Sequence, residues 1–501
     1  MIGKAASIFV QFLGVIFVAR ILGATSFGIL SIAYIPISLA AILMNTGINP
    51  ALIKYLSQYR LDDKPQHRRT LIETGAAINF TAGTILTLIT HLSSPFIAET
   101  IFGQPELIPL IRLYSLILIG QTLVNTANSV LVGYERMELR SAVDIIYSLL
   151  RSIAGPVLVY LGWGALGAVS GNVASQLVAG LVGFIMVVAI WRSEPERLDG
   201  FTHLECAKLM LVYGYPLFLS SLIGGVTPNI TSFLLAMYVS PEYIGNYQAA
   251  TRFGVLVTFF TVPIATVMFP LFSKLEKQVD ALRAVFVNSV KYVGLIIYPI
   301  IAAIIILAPQ IVSVLYGQGY PYADNYLRLY MFTFLAYGLG MVGVGSLLAA
   351  TGNTRVYFYD VLINSVVTLS LGVMLIPRHG VPGLIISSII GSLLGFIYGL
   401  HWIRKNLDIT PDYVTALKTI LAAASAGFAT HLYANTVQLN PWTELLTGGA
   451  LCILIYIASV LILGALKQED LDNLENISRG LGPIYPIIKK IYTLIRPLFK
   501  P

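Results

Sequence analysis

The chain has 501 residues, of which 56% are hydrophobic and only 11% charged, against about 25% charged in soluble domains. Its mean hydropathy is +0.80. This composition excludes a soluble globular enzyme and marks an integral membrane protein, and the net charge of +7 is a matter of how Lys and Arg are spread over the loops, with no separate support for nucleic-acid binding.

Apolar runs long enough to cross a hydrocarbon core of about 30 Å recur along the chain. Helices are predicted at 5–22, 27–48, 71–92, 106–130, 140–161, 165–190 and 208–238, then at 242–271, 285–307, 323–350, 356–376, 381–402, 412–434 and 442–466. The period-2 alternation of a transmembrane barrel is absent, so the expected fold is all-α with 14 transmembrane helices. The first two helices are joined through ARILGATSFG, residues 19–28, where Gly23 and the small residues after it allow a tight turn. With the N-terminus inside, the large majority of the 31 Lys and Arg fall on one side of the membrane. The positive-inside rule then predicts a multi-pass protein with both termini cytoplasmic, in a plasma membrane by default. After Lys467 the sequence turns to an acidic linker and a basic, Ile- and Tyr-containing tail, which is expected to lie on the anionic leaflet as an amphipathic segment or to be a partly disordered extension. Cys206 and Cys452 offer no disulfide or metal framework.

The hairpin recurs. VARILGATSFGILSIAY from Val18 aligns with LAMYVSPEYIGNYQAAT from Leu235 at an offset of 217, setting Gly28 opposite Gly245. Gly103 meets Gly317, Gly133 meets Gly352, Arg112 meets Arg328 and Asp144 meets Asp360, all at offsets of 214 to 219. Helices 1–6 and 7–12 therefore read as two copies of one unit in the same orientation. The expected organisation is a lobe over 1–192, a second over 193–405, two appended helices over 406–466 and the basic tail over 467–501. Two such lobes can enclose a cavity and rock around it.

Charged groups inside spans cost roughly 2.5–3.5 kcal/mol on insertion scales and generally face a bundle interior. Arg252 in helix 8, Arg151 in helix 5 and Arg20 in helix 1 are the candidates, because each breaks the internal symmetry. The competing reading pairs each with a helix end or an aspartate. Arg112, Arg328, Asp144 and Asp360 persist in both copies and are expected to serve architecture. Tyr213, Tyr215, Asn229, Gln248 and Asn364 are polar groups that either meet a ligand or tie helices together. Pro216, Gly224, Gly225 and Pro228 make helix 7 bendable, as a gate or as a fixed kink. No Ser/His/Asp set, metal-ligand cluster or phosphate-binding loop is present, so no catalysis and no cofactor is expected; coupling to H⁺ or Na⁺ stays open.

ARILGATSFG, GYPLFLSSLIGGVTPN with the following PEYIGNYQAATRFG, and LYGQGYPYADNYLRLYMF resemble the oligosaccharide flippases, or Wzx-type polysaccharide transporters, of the multidrug/oligosaccharidyl-lipid/polysaccharide flippase superfamily. The resemblance covers essentially residues 1–466. It implies transfer of a polyprenyl-diphosphate-linked oligosaccharide from the cytoplasmic to the outer leaflet. The implied partners are that lipid, the bilayer and other polysaccharide-assembly membrane proteins, with the chain a monomer. Guanidinium groups match diphosphate oxygens bidentately, which is the task expected of the three central arginines. A multidrug-and-toxin antiporter would favour embedded carboxylates instead, and a passive lipid scramblase is the further alternative.

Overall fold

A computed structural model describes residues 2–62, 65–194, 201–437, 439–466 and 470. The expected amphipathic tail lies outside the described residues. Every element among the described residues is helical. Among the described residues eight helices are long and apolar enough to cross a membrane, or up to ten when each of two bent pairs counts as one span.

The chain opens with α1 (Ile2–Met44), which is two arms broken at Gly23, where φ is 71° and ψ is 171°. That backbone region is open essentially to glycine alone, so the turn expected from the sequence is a single residue. An unpredicted helix follows, α2 (Ile48–Leu61), burying Ile48, Ala51, Leu52 and Leu56. Their i, i+3/i+4, i+8 spacing is that of an amphipathic helix. Then come α3 (Pro65–Leu92), α4 (Leu107–Gly133), α5 (Met137–Leu158) and α6 (Gly164–Ser193). The 57-residue run from Met137 to Ser193 folds back at Gly162 and Gly164, so that a Cβ on Gly171 would lie 2.3 Å from the backbone nitrogen of Gly155.

Helix α7 (His203–Tyr238) begins five residues before the predicted start, because Thr202 and Glu205 form a reciprocal capping box that holds two backbone amides at the helix end. It bends by 52° between Leu219 and Gly224. The predicted eighth helix is interrupted: α8 (Pro241–Thr251) stops at Arg252 and α9 (Gly254–Lys274) restarts two residues later. Beyond α10 (Val279–Ile306) and the short α11 (Ala308–Tyr316), the predicted tenth helix is likewise divided. It becomes α12 (Ala323–Met331), a tighter turn over Phe332–Leu339 and α13 (Met341–Ala350), with a 51° bend at left-handed Gly340. The last elements are α14 (Thr354–Leu407), folded back at Gly380, α15 (Tyr413–Thr436) and α16 (Pro441–Ile462).

Two compact units divide these elements. The first comprises Met1–Arg252, Leu315–Ala323 and Val367–Ser387. Within it α4 is packed by α6, α5, α3, α2 and α1. Its buried Thr122, Ser115 and Ser129 hydroxyls return to their own helix carbonyls at 2.7–2.9 Å, which satisfies polar groups where no water can. Arg112 Nε donates to Ser94 Oγ at 3.1 Å, and Asp144 accepts from Asn128 at 3.1 Å. The second unit comprises Phe253–Val314, Asp324–Val366 and Ser388–Pro501. Its core gathers Phe272, Leu282, Phe286, Leu347, Leu348, Ile403 and Ile409. Asp360 lies against Gly395, where a Cβ would stand 2.5 Å from the carboxylate. Lys291 pairs with Asp470 at 2.5 Å, both side chains largely buried.

Candidate functional site

Within the first unit, α1, α4, α5, α6 and α8 leave a cavity of about 240 Å³. It is built from residues that are far apart in the sequence. The first arm of α1 presents Gln11, Gly14 and Val15, and the second presents Phe27, Ser31 and Tyr34 at helical spacing. Helix α5 adds Arg151 and Ser152, α6 adds Asn172, and α8 adds Gln248, one turn ahead of Arg252. The break after Thr251 makes Arg252 the C-terminal cap of α8, and this cap position belongs to the cavity wall.

Two guanidinium groups thus share one wall with three amide side chains, two serine hydroxyls and two phenols, and among the described residues no carboxylate lines it. Arg151 is held by its neighbour one turn back: Nη1 donates to Tyr147 Oη at 2.9 Å, and the guanidinium carbon stands 5.7 Å from that ring's centre. Tyr34 and Tyr114 meet edge to face with centroids 5.4 Å apart. Gln11 donates to Ser148 at 2.7 Å, tying α1 to α5. Asn172 Oδ1 and Ser152 Oγ are buried and make no hydrogen bond among the described residues. Unsatisfied buried polar atoms are uncommon in native structures, and here two of them border one cavity beside two cations. The arrangement can accept a cluster of anionic oxygens, with bidentate guanidinium contacts and neutral amide and hydroxyl partners around them.

Of the residues singled out from the sequence, the structure brings Arg151, Arg252 and Gln248 together. Arg20 is exposed on the first arm of α1 and does not line this cavity. Tyr215 is 61% exposed on α7. Asn229 donates to Gly225 at 2.8 Å and accepts from Ser38 at 2.5 Å, joining α7 to α1. Tyr213 packs on Tyr55, with Lys54 Nζ 4.1 Å from its ring centre. Pro216 and Pro228 lie inside α7, with Gly224 and Gly225 on the far side of the bend. Arg328 Nε is buried without a hydrogen-bond partner among the described residues, and Asn364 lies beside Gly395. Sequence reasoning missed Gln11, Tyr34, Tyr114, Ser152 and Asn172. Ser152 adjoins Arg151 in the sequence; the other four carry no such signal.

A second group of tyrosines explains the LYGQGYPY stretch. Tyr320 Oη donates to the Ala19 carbonyl at 2.7 Å and Tyr316 Oη to the Ala249 carbonyl at 3.1 Å, while Asn246 Oδ1 accepts from the Tyr322 amide at 3.0 Å. The segment 315–323 therefore caps helix backbones of the same unit.

Residues 17–323 match the family described as "Polysaccharide biosynthesis protein". The chain is 22% identical over 479 residues to the probable low-salt glycan biosynthesis flippase Agl15 of Haloferax volcanii, covering 93% of this chain and 94% of that one. It is 24% identical to the succinoglycan biosynthesis transport protein ExoT of Rhizobium meliloti, covering 96% and 95%. Among solved structures it resembles the lipid II flippase MurJ in an inward closed conformation, with a TM-score of 0.75 at 17% identity over 92% of this chain and 97% of that one. It also resembles an inward-facing multidrug resistance transporter of the MATE family, with a TM-score of 0.67 at 18% identity over 80% and 94%.

Proposed function

The chain belongs to the polysaccharide biosynthesis protein family, within the superfamily that holds the Wzx-type and MATE-type transporters, and on that premise we propose that it is a flippase for a polyprenyl-diphosphate-linked oligosaccharide. The observation that carries this reading is the cavity of the first unit, which sets Arg151 and Arg252 with amides and hydroxyls and, among the described residues, with no carboxylate. A diphosphate supplies the oxygens such a wall accepts. Exporters of organic cations need the opposite charge, so the MATE-type reading is the weaker one even though the fold is shared. The protein is a transporter and performs no covalent chemistry.

The finer plan follows from dividing the three runs that are too long for one span. Splitting the 51-, 57- and 54-residue runs at their glycine breaks and adding α15 to the ten candidate spans supports a plan of fourteen crossings. The internal duplication supports alternating access by two six-helix lobes, 1–192 and 193–405, with both termini in the cytoplasm and the chain acting as a monomer in the plasma membrane. On this reading the bend in α7 serves gating, and H⁺, Na⁺ or the membrane potential supplies the driving force.

The test is leaflet exchange of a fluorescent polyprenyl-diphosphate oligosaccharide in reconstituted vesicles. Wild type and Arg112→Ala are expected to exchange it and Arg252→Ala to lose most of the rate, with all three proteins folded. Export of cationic dyes with no movement of the lipid would replace this reading by the MATE-type one.

A further inference from the structure

The second unit contains an opening of different chemistry, lined by α9, α13, Tyr337 of the Phe332–Leu339 turn and Tyr357 in the first turn of α14. Its volume is about 490 Å³, inside the range of roughly 300–1,000 Å³ usual for small-molecule sites. Among the described residues no charged side chain lines it. An anionic headgroup finds no counter-charge there, and an organic cation finds no carboxylate.

What the wall offers is hydrogen-bonding capacity left over after the protein's own needs. The Thr258 hydroxyl donates to the Val255 carbonyl at 3.2 Å, Thr261 to Val257 at 3.3 Å and Ser346 to Val342 at 3.2 Å. Each hydroxyl spends its proton on its own helix and keeps oxygen lone pairs free to accept. The phenols of Tyr337 and Tyr357 make no hydrogen bond among the described residues, so two donors stand ready beside three acceptors. Phe269 and Tyr357 are 47% and 42% exposed, which leaves aromatic faces available.

Sugar hydroxyls each donate and accept, and the C–H faces of a pyranose lie against aromatic rings. An uncharged wall of free donors, free acceptors and rings complements that chemistry; a purely apolar chain would leave the phenols unpaired. We propose that this groove of the second unit binds an uncharged sugar residue of the transported glycan. The proposal rests on the flippase reading.

The test measures two ligands separately on the purified full-length protein: polyprenyl diphosphate, and free oligomers of N-acetylglucosamine or glucose. Wild type is expected to bind at least one of the oligomers. Thr258→Val, which removes a hydroxyl at nearly constant shape, and Thr258→Val with Tyr357→Leu should weaken that binding about tenfold, a factor set by about 1.4 kcal/mol. Affinity for polyprenyl diphosphate should not change, and so reports that the variants are folded. No binding of either oligomer to wild type, or binding that survives both variants, overturns the groove. Arg252→Ala separates the two readings. Sugar binding that Thr258→Val weakens, in a protein without affinity for polyprenyl diphosphate, retains the groove and removes the flippase. Polyprenyl-diphosphate binding that Arg252→Ala abolishes, with no variant-sensitive binding of the sugar, retains the flippase and removes the groove.

Discussion

Asn172 and Ser152 separate stability from ligand binding at the scale of single side chains. Each buries a polar atom without a partner, and removing an unsatisfied group together with its desolvation penalty is close to neutral or stabilising. Ser152→Ala is therefore expected to change unfolding stability by less than about 0.5 kcal/mol, whereas Asn172→Leu also removes the side-chain hydrogen bond to buried Tyr114 and is expected to cost about 1 kcal/mol. Both should weaken polyprenyl-diphosphate binding, because the bound oxygens lose a neutral partner. Thermal unfolding and lipid binding measured on the same preparations check this, and a large loss of stability with unchanged binding would assign both atoms to the fold. Arginine geometry makes a second prediction. Arg252→Lys keeps the charge but loses the planar fork, so it should fall between wild type and Arg252→Ala, with the alanine variant about 10- to 100-fold weaker by the usual worth of a charged hydrogen bond.

At the scale of elements, the duplicated hairpin is informative because its two copies touch. A Cβ on Gly28 would stand 1.7 Å from the Pro241 carbonyl oxygen, and one on Gly245 would stand 1.8 Å from that of Ala24. Residues that correspond in the two repeats thus meet each other where α1 crosses α8. The obstacle on both sides is backbone, so no rotamer change relieves it. Gly28→Val and Gly245→Val are expected to force the helices apart at a cost of about 1–3 kcal/mol each, and detergent-solubilised variants should unfold at lower temperature. An unchanged midpoint would mean that the helices do not pack this closely. The close approach of these two glycines was legible, since the alignment set Gly28 opposite Gly245. Helix α2 was not, because Lys54 and Arg60 made its stretch look like a basic loop although Ile48, Leu52 and Leu56 share one face. The earlier start of α7 was written in Thr202 and Glu205. The break at Arg252 left no mark, as no proline stands there. In the cavity, Arg151 and Arg252 stood out against apolar runs, and Gln248 was flagged with the other polar groups of the spans. Tyr34, Tyr114 and Asn172 did not, because the same residue types join helices everywhere in a membrane bundle, and only the packing of five helices gathers these.

For the whole molecule the decisive quantity is length. Run α14 has 54 residues, roughly 80 Å if straight at 1.5 Å per residue, against a hydrocarbon core of about 30 Å. It folds back at Gly380, where φ is 57° and ψ is −129°, and a Cβ on Gly383 would stand 2.4 Å from the Leu375 carbonyl. On the proposed plan one arm leaves a membrane face and the other returns to it. Basic residues sort with that geometry: Arg355 begins the run and Arg404 and Lys405 end it, while Arg378 alone accompanies the turn with His379. On the proposed orientation the two ends lie in the cytoplasm and the turn outside, as the positive-inside rule predicts. A cysteine at position 378 should then react with a membrane-impermeant maleimide on intact cells, whereas Arg355→Cys and Arg404→Cys should react only after permeabilisation. The native Cys206 and Cys452 are buried, which keeps the background low. Labelling of 355 and 404 from outside would invert the orientation and with it the direction of transport; equal labelling of all three would show that the run does not cross the membrane as a hairpin.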